Sequence, residues 1–218
     1  MRRKLTGLVM ICLFALTLTS PPPAQAMNNE VESWNFDVYL NDKKVGKHSF
    51  TVAEADGMKL VQSEANFKYK ILFIPAYQYE HRAAERWTNN CLVDLSATTN
   101  DNGERILVTG SQTSSGFAIQ RDQSPVELPE CVMTFAYWNP EFLEQPRLLN
   151  PQTGEYVDIS VQKAGSDILE VRGQKVAATR FRLTAYDVDL TLWYSPDDEW
   201  LALESVAKGG HIIRYELS

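Results

Sequence analysis

Two side chains in the first half of the chain could do acid and base work: His81 and Glu85, four residues apart in a stretch of strict alternation. Along an extended strand that spacing puts both on one face with Tyr77, Tyr79, Ala83 and Trp87, while Gln78, Glu80, Arg82 and Arg86 take the other. A carboxylic acid and an imidazole held among rings have shifted proton affinities and could serve as general acid and base at the mouth of a lumen. Four residues of strand also hold their backbones roughly 13 Å apart, a stretch for direct contact, which favours the reading of a partly wet interior or of Glu85 paired with an arginine from a neighbouring strand. No Gly-rich phosphate loop, nucleophile elbow, His-Glu-x-x-His or Cys-x-x-Cys accompanies them, and the sequence calls for no cofactor. The three histidines, His48, His81 and His211, lack metal-ligand spacing. Asp187 and Asp189 share a strand face, and Asp197-Asp198-Glu199 after Pro196 has the composition of a type I turn rather than of a calcium loop, so no metal is expected.

A second chemistry is apolar binding. Trp34, Phe36, Phe67, Tyr69, Tyr77, Tyr79 and Trp87 fall in the first four strand-like segments, several on faces that alternation turns inward. In a barrel of this strand number the interior is wider than ordinary side chains fill, and these rings could line a site for a hydrophobic or amphipathic molecule. Large rings that simply fill the lumen are the competing reading.

The elements that must position these residues are strands. Trp34, Phe36, Val38 and Leu40 alternate before a turn at Asn41-Asp42-Lys43-Lys44, and Gly46, His48, Phe50 and Val52 share the next inward face. Ala55-Asp56-Gly57 turns the chain into a third segment with Val61, Ser63, Ala65, Phe67, Tyr69 and Ile71 on one side. Asn102-Gly103 marks a hairpin, because both central positions of such a turn need positive φ. The period breaks between Pro125 and Pro146, where Cys131 to Trp138 is almost continuously apolar. That block is expected to be a short helix or a buried plug near residues 130–145, with three aromatics closing one end. Short strands resume from Tyr156 to Val161, Ile168 to Val171, Val176 to Tyr186, Val188 to Tyr194, Leu201 to Ala207 and His211 to Leu217. The fold class is therefore all-β: an antiparallel meander of about 10–12 strands forming a closed or open barrel, since crossover-length helices are missing from the pattern.

The amino terminus places this fold in a compartment. Arg2, Arg3 and Lys4 precede an apolar run from Leu8 to Leu18, too short for a bilayer span, and Pro21-Pro22-Pro23-Ala24-Gln25-Ala26 supplies an Ala-x-Ala cleavage site. Residues 1–26 are read as a signal peptide and 27–218 as one exported domain, periplasmic or else extracellular, not membrane-spanning after cleavage. Cleavage leaves 18 basic against 28 acidic residues, a net charge of −10 that argues against nucleic acid as a partner. It also leaves Cys91 and Cys131, expected either to form one disulfide, which persists in such a compartment, or to stand as buried free thiols.

Three stretches carry a resemblance: Phe36-Asp-Val-Tyr-Leu-Asn-Asp-Lys-Lys-Val-Gly46, Glu80-His-Arg-Ala-Ala-Glu-Arg-Trp87 with Cys91-Leu-Val-Asp-Leu95, and Asp189-Leu-Thr-Leu-Trp-Tyr-Ser-Pro-Asp-Asp-Glu-Trp-Leu201. They resemble exported bacterial proteins grouped as domains of unknown function. The likeness implies an antiparallel β-barrel-like fold in the Gram-negative periplasm and no particular chemistry. The functional expectation is a non-enzymatic protein that binds a hydrophobic small molecule, a lipid or an envelope protein. One alternative is an envelope hydrolase or isomerase using Glu85 and His81; another is an assembly protein that offers an edge strand to its partner.

Overall fold

The computed structural model describes residues 31–71, 74–121, 124–186, 188–206 and 208–218, so the leader and Asp187 lie outside the described residues. Thirteen strands form one antiparallel sheet. The first half is a meander of long strands: β1 (Val31–Leu40), β2 (Lys43–Ala55), β3 (Met58–Ile71), β4 (Ile74–Thr88) and β5 (Cys91–Asp101). It continues through β6 (Glu104–Gln112), β7 (Phe117–Arg121) and β8 (Ser124–Leu128). A second meander, β11 (Ser160–Val171), β12 (Gln174–Thr184), β13 (Asp189–Tyr194), β14 (Trp200–Val206) and β15 (Ile212–Leu217), joins the first through antiparallel pairing of β15 with β1. β8 and β11 are the two ends of the strand order and do not pair with each other among the described residues, so the barrel-like sheet is open.

Alternation produces this arrangement. In β4, His81, Ala83, Glu85 and Trp87 are buried while Arg82, Ala84 and Arg86 are exposed. Trp34, Phe36 and Val38 of β1 and His48, Phe50 and Val52 of β2 face the same interior. At the β5–β6 turn, Asn102 (φ 53°) and Gly103 (φ 101°) take the positive φ that a two-residue hairpin matching strand twist requires. The strand count exceeds the expected 10–12, and one boundary is drawn differently. The segment from Tyr156 splits into β10 (Tyr156–Asp158), which pairs with β9 (Arg147–Leu149), and β11, which runs unbroken to Val171. β11 is an edge strand whose central residues, Gln162 to Ser166, are all exposed, so its middle shows no period-2 signal.

The segment between β8 and β11 packs into the curve of the sheet. Cys131 is bonded to Cys91, and the next residue accepts a backbone hydrogen bond, Leu92 N–H to Val132 C=O at 2.9 Å. Val132, Met133, Ala136 and Trp138 are buried, and the only helical turn in this segment is a 3-10 helix, Pro140–Glu144, that buries Phe142. The expected plug is thus an extended buried strap with one tight turn, tied at the end of the sheet where β4 turns into β5.

Gly46 lets two strands come closer than a side chain allows. A Cβ there would lie 1.9 Å from the Asn66 carbonyl oxygen and 2.9 Å from the Phe67 Cα, both backbone atoms that cannot swing aside. Gly46→Ala is expected to destabilise the protein by at least about 2 kcal/mol, the range of overpacking that forces backbone to shift. Urea unfolding checks this, and an unchanged midpoint would mean that β2 and β3 separate freely.

Candidate functional site

The strap closes one end of the curled sheet, and a cavity of about 340 Å³ lies toward the other. Its floor is the strap's Phe135 and Tyr137, whose ring packs 5.0 Å from Trp200 and 5.6 Å from Phe142. Its walls come from strands far apart in sequence: Phe50 and Phe67 on one side, Leu190, Leu203 and Tyr215 on the other. Its rim holds Asp101, Val188 and Ile213, at or next to strand ends, with Tyr77 of β4 and Gln152 of the loop between β9 and β10.

Of the seven rings expected to form an apolar site, Phe67, Tyr77 and Tyr79 line this cavity. Phe67 and Tyr79 stack with centroids 5.3 Å apart. Trp34, Phe36 and Trp87 are buried in the core instead: the Phe36 ring packs 4.2 Å from Trp200, and Trp87 meets Trp138 edge-on at 5.6 Å. Tyr69 is half-buried, with the Lys43 ammonium 5.1 Å from its ring centre.

His81 and Glu85 are both buried, but each has its own partners. Glu85 Oε2 accepts from Trp87 Nε1 at 2.9 Å and from Thr134 Oγ1 at 3.4 Å, which joins the strap to β4. Burial raises its carboxyl to about 7, against the opposing pull of those two hydrogen bonds. His81 Nδ1 lies 3.0 Å from Thr99 Oγ1. The single Thr99 hydroxyl proton goes to the Gln152 carbonyl at 3.1 Å, so its oxygen receives the proton of His81 Nδ1 and fixes that tautomer. Burial lowers the imidazole to about 4.

One polar grouping was not singled out by spacing. His48 Nε2 is 2.7 Å from Ser63 Oγ, and its Nδ1 is 3.4 Å from the Tyr215 hydroxyl. Ser63 and Tyr215 both line the cavity. A neutral imidazole offers one donor and one acceptor, so in either tautomer one of the two hydroxyls keeps its proton free to donate toward the cavity. Desolvation, with a smaller contribution from nearby His81, lowers His48 to about 3. The available signal was a polar residue on an inward face in each of two adjacent strands; which ones meet depends on register, with Ser63 opposite Phe50 and His48 opposite Ala65.

Elsewhere the candidate ligands have local work. His211 is exposed and lies 3.2 Å from the Asn41 amide, while Asp189 is held by Arg182 at 2.8 and 3.1 Å. The Asp197–Glu199 turn is organised by Ser195 Oγ, which accepts the backbone N–H groups of Asp197 and Glu199.

A family model described as a domain of unknown function, DUF6134, matches residues 36–218. The chain belongs to the DUF6134 family. No curated protein matches this DUF6134 chain. Among solved structures it is similar to a crystal structure of a beta-barrel-like protein of domain of unknown function DUF1849 from Brucella abortus. That match has 7% identity and a TM-score of 0.63, and it covers 85% of this chain and 94% of the other. At that identity the likeness is one of fold. Among its described residues the DUF6134 chain has no helix long and apolar enough to cross a membrane.

Proposed function

We propose that this DUF6134 protein is exported to the periplasm and holds an apolar or amphipathic small molecule in the cavity above the strap. The observation that carries this reading is the cavity: a concave space within the sheet, floored by Phe135 and Tyr137 and walled by aromatic and aliphatic side chains with a few polar groups among them. Its volume falls at the lower end of the roughly 300–1,000 Å³ usual for small-molecule sites.

Two features make binding the better reading over catalysis. His81 and Glu85 act on different partners, and a His48 imidazole lowered to about 3 is a poor base for activating Ser63 at neutral pH. The assembly reading rests on the open edge of β11, but that edge carries Lys163 and a register shift beside Gly165, both devices that discourage strand addition.

The test is titration of the purified protein with the neutral dye N-phenyl-1-naphthylamine. Saturable fluorescence enhancement at one site is expected, with Ser205→Trp, at the cavity wall, weakening it at least tenfold while the thermal midpoint stays within a few degrees. Dye that does not bind, or that ignores the substitution, overturns the reading. Periplasmic release by osmotic shock of a chain beginning at Met27 checks the export part.

A further inference from the structure

Among the described residues, the charge that lines the cavity is one-sided. Seven of its lining residues are aromatic, Asp101 at the rim carries the one formal charge, and no lysine or arginine lines it among the described residues. The nearest arginine in sequence, Arg214 between Ile213 and Tyr215, turns outward to Glu216 at 2.8 Å and Asp42 at 3.6 Å. An anionic head group would be desolvated here without a countercharge, beside a carboxylate and against the electron-rich faces of rings. A cation meets the opposite: ring faces, hydroxyl oxygens and a carboxylate.

We propose that the occupant is a cationic amphiphile, its ammonium or quaternary ammonium group seated near the mouth over Phe67, Tyr77 and Tyr79 beside Asp101, its apolar part reaching toward Phe50, Leu190 and Leu203. This rests on the cavity being a binding site and adds the sign of the ligand's charge. The stacked Phe67–Tyr79 pair and the edge-on Phe67–Tyr215 pair, 6.2 Å apart, give the mouth several ring surfaces at different inclinations, the arrangement that surrounds an alkylammonium. Burial keeps the nearby His48 and His81 uncharged at neutral pH, so neither repels the guest. The net charge of −10 left once the leader is removed adds a long-range attraction for cations.

The experiment is displacement of bound N-phenyl-1-naphthylamine by three ten-carbon probes: decyltrimethylammonium, 1-decanol and decanoate, each below its aggregation concentration. The cation is expected to bind at least tenfold tighter than the other two, and less tightly as salt is added. Asp101→Asn, a change at an exposed position, is expected to lower the cation's affinity about three- to fivefold, as a screened ion pair should, and to leave decanol unchanged. Phe67→Leu is expected to weaken the cation more than decanol. Decanol or decanoate matching the cation, or Asp101→Asn affecting all three alike, overturns the proposal while cavity binding stands. Failure of all three probes to displace a dye that does bind has the same result. A dye that never binds removes the cavity reading and this inference together.

Discussion

Replacing Cys91 and Cys131 by serine, or reducing the bond between them, is expected to lower stability by about 4 kcal/mol. The bond closes a loop across a sequence separation of 40, and the loss of that constraint on the unfolded chain sets the size of the effect. The consequence is local as well as global, because Cys131 is where the strap is tied to β5. The strap supplies Phe135 and Tyr137 to the cavity floor, so dye affinity should fall along with stability. Guanidinium unfolding with and without reductant measures the first effect, and dye titration the second. A change under about 1 kcal/mol would mean that packing of Val132, Met133 and Phe142, with the Leu92–Val132 hydrogen bond, holds the strap unaided.

Stability should also peak near pH 6.5 and fall on both sides. His48 and His81 have folded-state affinities lowered from 6.5 to about 3 and about 4. Their contribution is fully present above pH 6.5 and lost as the pH falls toward those values, because the unfolded chain takes up protons that the fold excludes. Glu85 runs the other way. Raised from 4.5 to about 7, it contributes fully below pH 4.5 and loses that contribution as the pH rises through about 7. Between pH 6.5 and 4.5 two imidazoles oppose one carboxyl, so the net loss is about 3 kcal/mol at roughly 1.4 kcal/mol per proton per pH unit. Glu85→Gln should flatten the limb above pH 6.5 and His81→Gln should shallow the acid limb. Urea midpoints across pH 4–8 decide the matter, and equal midpoints at 4.5 and 6.5 would show that the imidazoles are solvated.

The strands were legible wherever one face meets the interior and the other meets water. β4 is the clearest case, with buried His81, Ala83, Glu85 and Trp87 interleaved by exposed residues, and the same period on β1 to β4 accounts for the burial of Trp34, Phe36 and Trp87 and for Phe67 and Tyr79 on the cavity wall. The middle of β11 was not legible, since an edge strand exposed on both faces has no apolar side to display. The cavity was half legible for a related reason. Alternation says that Phe67, Tyr79 and Trp87 all point inward, but not that Trp87 is sealed under Trp138 while Phe67 and Tyr79 face open space. That difference is made by the strap, whose position depends on long-range contacts. Tyr215, Tyr137 and Ser63 meet at the cavity through pairings between segments up to about 150 residues apart, which no local spacing encodes.

The seam between β1 and β15 has a consequence for how the molecule is made. Each meander can zip up through neighbouring hairpins as it emerges, but β1 exposes its outer row of backbone donors and acceptors until Ile212–Leu217 arrive to pair with it. Closing that seam is the step of greatest sequence separation and should set the folding rate. Until that pairing forms, the growing chain carries an unprotected ribbon along β1, the kind of open edge through which incomplete chains aggregate.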